Sequence, residues 1–369
     1  MTIAEGAPAT SVADVRLSTF ERLPWRRIIL VLLAIVIVAV TTIGIYKTLT
    51  SPEAANYSGE FWAQLTVDGL SYGAILSMVA LGYSMVYGIL RMINFAHGEV
   101  FMAGGFASFF FANAYAKSGF LNSNTVVAVL IVMTVSVLVS VGVALLLERV
   151  CYRPLRNAPR LVPLITAIGA SLFIQNSFRG FFGPQSYGYP RPSSLNGQVP
   201  ILGVHVNKID IAVLVVAVVC MLVLQMFVSR TKTGRSMRAV AEDREIASLM
   251  GIDVDRTIAI TFAVGGVLAG IAGVLFGMTF QQIQFTSGFT LGIAAFTAAV
   301  LGGIGSIGGA TLGGFLIGVL RAVGPVLILT GFGIPSVHSL NEAFVFLVLV
   351  LVLVFRPGGL LGTGEAEKV

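Results

Sequence analysis

The composition of this 369-residue chain excludes a water-soluble fold. Hydrophobic residues make up 56% of it and charged residues only 11%, whereas soluble domains average about 45–50% apolar and about 25% charged residues. The net charge of +6 comes from Lys and Arg residues spread between apolar segments, so it predicts membrane orientation and not nucleic-acid binding. Cys151 and Cys220 lack metal-binding or redox spacing and are interpreted as free thiols.

The apolar residues are gathered into ten stretches. A membrane-spanning helix needs about 20 apolar residues, within a range of about 17–25, and most stretches reach that length. Phe289–Ile304 and Ala343–Phe355 are short, so either is a short span or a re-entrant piece. We therefore predict an all-α polytopic membrane protein with about ten transmembrane helices, at Ile28–Tyr46, Leu65–Leu90, Val100–Ala116, Thr125–Leu147, Leu161–Phe178, Ile209–Val228, Ile258–Phe280, Phe289–Ile304, Ala310–Leu329 and Ala343–Phe355.

The distribution of basic residues predicts the orientation of these spans. If all ten cross and the N-terminus is cytoplasmic, 17 of the 23 Lys and Arg residues fall inside and 5 outside, with Arg321 within a span. Cytoplasmic loops carry such an excess of Lys and Arg. Both termini are therefore predicted to be cytoplasmic.

The first apolar stretch has two interpretations. Its basic flank and apolar run resemble a signal sequence, but signal h-regions usually span about 7–15 residues, and this run of about 19 is longer. We favour a retained helix, so that residues 1–57 form a cytoplasmic tail and an extra first transmembrane helix, and residues 58–369 form the main membrane domain.

A polar break in the segment Ile93-Asn-Phe-Ala-His-Gly-Glu99 separates the second and third stretches. The structural interpretation is that Asn94 caps a helix and that His97 and Glu99 satisfy local backbone at an ordinary turn. The functional interpretation is a pathway or gating element, because non-helical backbone at membrane depth persists only where protein or water covers it.

One inner connection predicts a short amphipathic helix under the membrane. Ser236 is the expected N-cap and Gly251 the expected stop after the helix. Such a helix either packs against lipid headgroups or fits a groove on a cytoplasmic partner.

A glycine-rich segment, 302–314, contains seven glycines. It favours close helix packing through small residues, with a re-entrant turn as the alternative. Arg321 follows in the same apolar stretch and is costly if it faces lipid, by about 2.5–3.5 kcal/mol. We expect it to face the protein interior, paired with Glu342 or with a substrate carboxylate.

Four segments follow one another in the order found in a known family: Gly82–Glu99, Glu148–Arg156, Arg238–Ile252 and Ala294–Ser306. They resemble the permease subunits of branched-chain amino-acid ABC importers, and specifically the H-type subunit of the leucine, isoleucine and valine system. The resemblance covers the chain from about Phe61 to Val369.

This resemblance implies a transport subunit in a bacterial inner membrane. Its implied partners are a second, M-type permease, two cytoplasmic ATPases, an extracytoplasmic substrate-binding protein and membrane lipid. The permease would be no enzyme and hold no cofactor or metal, since ATP is used by partner subunits and the chain has no GxxxxGKS/T phosphate loop. The 236–251 helix would be the coupling helix that docks into an ATPase, with Glu242, Asp243, Ala247 and Gly251 matching the family pattern.

The alternatives to this function are a permease for urea or short-chain amides and an intramembrane enzyme. Permeases for urea and short-chain amides share an Ala-His-Gly-Glu element, but the Tyr- and Met-rich context of Gly82–Ile93 is nearer the amino-acid branch. An intramembrane enzyme needs ionisable groups clustered inside the spans, where Asp68 and Arg321 are the candidates. The pathway or gating candidates of the transport interpretation are Asn94, His97, Glu99 and Arg321.

Overall fold

The computed structural model describes residues 25–50 and 57–361, except residues 157, 160, 202, 335 and 357. The predicted N-terminal tail and both chain termini lie outside these residues. The described chain folds into helices α1 to α13, which are Trp25–Thr50, Gly59–Leu90, His97–Lys117, Phe120–Ser123, Thr125–Leu147, Leu161–Phe182, Lys208–Arg230, Lys232–Glu242, Arg244–Leu249, Val254–Phe280, Ser287–Gly302, Ile307–Leu329 and Asn341–Phe355.

All ten predicted apolar stretches coincide with helices, which confirms the all-α membrane fold. Among the described residues, seven helices are long and apolar enough to cross a membrane: α1, α2, α5, α6, α7, α10 and α12. α11 and α13 are shorter, at 16 and 15 residues. With a rise of about 1.5 Å per residue, neither reaches the thickness of a bilayer core, about 30 Å. The number of complete crossings therefore stays a prediction.

The two ends of the helical bundle differ in their connections. One end, called the hairpin end here, carries four short strands in two antiparallel pairs. The pairs are β1 (Tyr187–Gly188) with β4 (Gln282–Ile283) and β2 (Gln198–Ile201) with β3 (Val204–Asn207). The opposite end, called the basic end, carries a π-helical turn at Glu148–Tyr152 and the small helices α8 and α9.

An inverted repeat organises the core, and it begins with two unusual helix ends. Arg91 and Gln281 are the two non-glycine residues with positive φ in the described chain, at 54° and 51°. Each ends a long helix, α2 or α10, and the next helix begins six residues later, at His97 or Ser287. The two connections, residues 91–96 and 281–286, are called the first break and the second break.

The two breaks match in backbone and sequence. His97 N donates to Asn94 O and Ser287 N donates to Gln284 O, both at 3.0 Å. The sequences Ile-Asn-Phe-Ala-His-Gly (93–98) and Ile-Gln-Phe-Thr-Ser-Gly (283–288) share Ile, Phe and Gly. The helix packing repeats as well, because α2 lies along α12 as α10 lies along α5. The units α2–α3–α5 and α10–α11–α12 therefore have the same construction in opposite directions.

Close glycine contacts hold these helices together. A Cβ on Gly98 would lie 2.2 Å from the Gly288 carbonyl oxygen, so the first turns of α3 and α11 meet at a distance that only glycine permits. In the glycine-rich segment, a Cβ on Gly313 would lie 2.0 Å from the Ala298 carbonyl oxygen, and one on Gly314 would lie 2.1 Å from Ser77 Oγ. The segment therefore packs α12 against α11 and α2, as its small residues predict.

Candidate functional site

The first break and the first turn of α3 hold the three polar residues expected to form a pathway or a turn. Asn94 and His97 are each 2% exposed, and Glu99 is fully buried. α3 begins without a side-chain cap, and the Glu99 carboxylate accepts from the Ser171 hydroxyl of α6 at 3.1 Å. The interpretation of these residues as a self-contained helix cap is therefore wrong, because their side chains reach other parts of the fold.

Each of these three side chains keeps a polar atom without a hydrogen-bond partner among the described residues: Asn94 Nδ2, His97 Nε2 and Glu99 Oε2. The His97 ring stands edge-on to Tyr83 at 5.0 Å and lies so close to Gly82 that a Cβ there would come within 2.0 Å of Nε2. Since most buried polar atoms are bonded, three unbonded atoms at one break favour a role beyond packing.

Tyr152 closes the first break from the basic end. Its hydroxyl donates to Asn94 Oδ1 at 3.0 Å, and its ring packs on Phe262 of α10 with 5.4 Å between centroids. Tyr152 ends the π-helical turn, which Arg156 ties to α10 through Glu148 and Asp255. Such turns often occur at functional sites. Tyr152 lies in the segment Glu148–Arg156 that resembles the family, but nothing in its sequence context pointed to this contact.

The second break is open where the first is closed. Gln282, Gln284 and Thr290 are exposed there, beside a cavity of about 170 Å³ that Arg321 and Glu342 also line. The structure thus brings Asn94, His97 and Glu99 together and places Arg321 at a different break.

Arg321 has the interior position and the partner expected from its sequence. Its Nη2 and Nε donate to Glu342 Oε1 at 2.7 Å and 3.1 Å. The guanidinium also lies over the Tyr72 ring, 4.1 Å from the centroid. These contacts give the charge two protein partners, which reduces the cost of placing it in a membrane helix.

The segment predicted as one coupling helix from Ser236 to Gly251 consists of two helices, α8 and α9. Asp243 separates them because it adopts an extended conformation, and its side chain caps α9 by accepting from Glu245 N and Ile246 N. α8 begins at Lys232 with Thr231 as its cap, so the prediction that Ser236 is the N-cap is wrong. The Ser236 hydroxyl instead donates to Lys232 O within α8.

The four predicted coupling residues have different surroundings. Glu242 and Asp243 are exposed, whereas Ala247 is only 3% exposed and packs within this chain. Gly251 has φ +83° and ends α9 in a Schellman motif, with Ile252 N bonded to Ala247 O and Gly251 N bonded to Ser248 O. The small size of Ala247 therefore serves the packing of α9 on this chain.

Comparison with known proteins shows the family. The family model described as "Branched-chain amino acid transport system / permease component" matches residues 65–353. This chain belongs to that family. It is 42% identical over 321 residues to the high-affinity branched-chain amino acid transport system permease protein BraD of Pseudomonas aeruginosa, covering 86% of this chain and 100% of BraD.

Two further relatives agree with this membership. LivH of Escherichia coli K12, a high-affinity branched-chain amino acid transport system permease protein, is 39% identical over 314 residues, covering 84% of this chain and 98% of LivH. A probable branched-chain amino acid transport permease protein of Methanocaldococcus jannaschii is 24% identical over 296 residues, covering 79% of this chain and 90% of that protein. The family is a transport permease and not an enzyme, as predicted. This chain, like BraD and LivH, is an inner-membrane permease.

One contact joins the predicted coupling segment to the end of α2, beside the first break. Arg244 of α9 donates through Nη2 and Nε to Ile89 O at 2.8 Å and 3.2 Å, two residues before the first break. Burial, with the positive charges of Arg156 and Arg91 nearby, lowers the pKa of the Arg244 guanidinium, which stays charged in proteins all the same. Sequence reasoning missed this contact because Arg244 and Ile89 are 155 positions apart.

Proposed function

We propose that this chain is the H-type permease subunit of an ABC importer that moves branched-chain amino acids into the cytoplasm. The observation that carries the proposal is the family match over residues 65–353, which includes both breaks and both coupling helices. BraD and LivH, whose names specify high-affinity branched-chain amino acid transport, are similar over nearly their whole lengths. Neither relative is named for urea or amides, which favours amino acids as the substrate.

The rest of the importer follows from this proposal. It comprises an M-type permease, two ATPases that use ATP at the cytoplasmic face, and a substrate-binding protein on the opposite side. The basic end is the cytoplasmic end, because it carries the Lys and Arg excess. The hairpin end then faces the substrate-binding protein.

The ATPase contacts α9 through three exposed apolar side chains. Ile246, Leu249 and Met250 are 59%, 87% and 78% exposed, next to the acidic Glu242 and Asp243. An apolar knob with a polar rim resembles the centre of many protein interfaces. Gly251 then returns the chain to α10, and Arg244 passes movement of α9 to the end of α2.

The transport function is tested with the importer reconstituted in vesicles. We expect ATP-dependent uptake of radiolabelled leucine, isoleucine and valine when all subunits are present. Uptake of urea with no uptake of leucine would contradict the proposal.

The docking role is tested by replacing Leu249 with serine. Leu249→Ser is expected to lower substrate-stimulated ATPase activity and leucine uptake together, because removing an apolar anchor weakens an interface by about 1–3 kcal/mol. The matched control is Val150→Ser, which changes another exposed apolar residue (61%) at the basic end and is expected to leave both activities unchanged. Equal effects of the two changes would contradict the role of Leu249.

A further inference from the structure

The cavity at the second break lies at membrane depth and is bordered by two opposite charges. Arg321 is 14 residues from the first residue of α12, which is about 21 Å along the helix and within a bilayer core of about 30 Å. The cavity of about 170 Å³ is lined by Arg321, Glu342 and the ring of Tyr72. A water needs about 10–15 Å³ of such space, so the cavity has room for a small organic molecule.

The ion pair between these charges leaves binding groups unused. Both bonds from Arg321 go to a single oxygen, Glu342 Oε1, so Glu342 Oε2 and Arg321 Nη1 take no part in the pair. The side chains of Glu342 and Arg321 are 44% and 21% exposed, respectively, and both line the cavity. A molecule that carries a carboxylate and an ammonium group is complementary to this pair, because its carboxylate suits Arg321 and its ammonium group suits Glu342.

The first break corresponds to the second break in the repeat, but at the first break the position equivalent to this cavity is covered. Tyr72 and Phe262 each lie 19 residues before the positive-φ residue that ends their helix. Phe262 is covered by Tyr152, whose hydroxyl is bonded to Asn94, whereas Tyr72 borders the open cavity. One break is therefore sealed from the basic end, and the other is accessible from the hairpin end.

The rest of the lining suits a branched apolar side chain. Phe276, Phe280 and Leu291 are its apolar lining residues apart from Tyr72, and Ser287 and Thr290 from the first turn of α11 add polar groups. The exposed Gln282 and Gln284 also line the cavity, where their amides face water, since polar groups in the membrane face water or protein and avoid lipid.

We propose that this cavity is a transit site for zwitterionic amino acids with branched apolar side chains. The substrate carboxylate accepts hydrogen bonds from Arg321, its ammonium group donates to Glu342 Oε2, and its side chain lies against Phe276, Phe280 and Leu291. The proposal rests on the proposed function and adds the residues that hold the substrate. Binding is weak, because a transport pathway that held its substrate tightly would release it slowly.

The test measures whether leucine protects the cavity from a thiol reagent. Gln284→Cys is made with Cys151→Ser and Cys220→Ser, in the complete membrane complex without its binding protein, and treated with a membrane-impermeant methanethiosulfonate. With a dissociation constant of about 1 mM, 10 mM leucine slows modification about tenfold. Leucinamide lacks the carboxylate and 4-methylpentanoate lacks the ammonium group, so neither is expected to protect.

The matched control is Phe289→Cys, an exposed neighbour (51%) that does not line the cavity. Its modification is expected to be insensitive to leucine. Equal modification rates at Gln284→Cys with and without leucine would overturn the transit site, as would equal protection by leucinamide. Leucine uptake by the wild-type importer is measured in parallel, so failure of the transit site is distinguished from failure of the proposed function.

Exchanging the two charges distinguishes a substrate-binding role of the ion pair from a purely structural role. The double variant Arg321→Glu with Glu342→Arg keeps an ion pair, but the positive and negative charges exchange places. The substrate's carboxylate and ammonium groups then each meet a like charge. We expect leucine uptake to stay about tenfold or more below wild type, as for loss of a charged hydrogen bond. Full uptake in the exchanged variant would show that the pair is structural and would overturn the proposal.

Discussion

At the scale of single residues, the contact between Gly98 and Gly288 joins the two repeats. A methyl group on Gly98 would meet the Gly288 carbonyl oxygen at 2.2 Å, and neither backbone moves without shifting its helix. Gly98→Ala is therefore expected to destabilise the protein by about 1–3 kcal/mol, as overpacking does. Thermal unfolding of the purified complex measures this effect as a lower midpoint temperature.

The control for Gly98 is a helical glycine with open space around it. A Cβ on Gly142 of α5 would meet no atom of the described chain within 4 Å. Gly142→Ala is expected to leave stability unchanged or to raise it by about 0.5–1 kcal/mol, because alanine suits a helix interior better than glycine. A lower midpoint for Gly142→Ala than for Gly98→Ala would contradict the importance of the glycine contact.

Residue contacts were predictable where one chemical requirement dominates. An arginine in an apolar helix needs a partner of opposite charge in the protein, and this requirement led to Glu342. The bond between Tyr152 and Asn94 was not predictable, because a tyrosine has many ways to satisfy its hydroxyl and these residues are 58 positions apart. The pathway roles of Asn94, His97, Glu99 and Arg321 remain predictions.

At the scale of elements, Arg244 links α9 to the end of α2. Both of its bonds go to the Ile89 carbonyl oxygen, and a lysine cannot reproduce two donors with this geometry. Arg244→Lys is expected to lower leucine uptake per ATP hydrolysed, since loss of a charged hydrogen bond costs about 1.5–3 kcal/mol. Parallel measurements of uptake and ATPase activity give this ratio.

Arg256 provides the control for this substitution. It is exposed and lies in the first turn of α10, so Arg256→Lys keeps the charge at the same end of the protein and should leave the ratio unchanged. A wild-type ratio for Arg244→Lys would mean that α9 does not act on the first break through this contact.

The helical elements were largely predictable, whereas the division of the coupling segment was not. Long apolar runs specify membrane helices because few other structures satisfy the backbone in lipid. The segment from Lys232 to Gly251 is more polar, so its conformation depends on tertiary contacts and not on an apolar run. Asp243 gave a local signal for this division, since Asp prefers an N-cap to a helix interior, but its place between Glu242 and Arg244 was equally consistent with the charged face of a single helix.

At the scale of the whole molecule, the inverted repeat was hidden from sequence reasoning. The repeats share backbone geometry but few residue types, since His97 corresponds to Ser287 and Asn94 to Gln284. Their opposite directions also place corresponding helices in different surroundings. The glycine contacts and the positive φ of Arg91 and Gln281 were recognisable only once the helices were placed together.

The first helix, α1, gives the last prediction, because its contacts are concentrated near its C-terminal end. Thr48 Oγ1 accepts from Gly331 N at 2.8 Å, Lys47 lies 5.4 Å from the centre of the Phe332 ring, and Gly44 lies against Ile328. The alignment with BraD covers all of BraD but only 86% of this chain. The family match begins at residue 65, after α1. We therefore expect deletion of residues 1–57 to preserve leucine uptake.

Two further results make this prediction specific. The remaining basic segments keep the orientation of the shortened chain, so a reporter between residues 183 and 207 should stay on the side it occupies in the full chain. Gly44→Leu, whose Cβ would lie 2.4 Å from the Ile328 carbonyl oxygen, should displace α1 without shortening the chain and should likewise preserve uptake. Loss of uptake in both variants, with the permease still inserted, would mean that α1 takes part in transport through its contact with the end of α12.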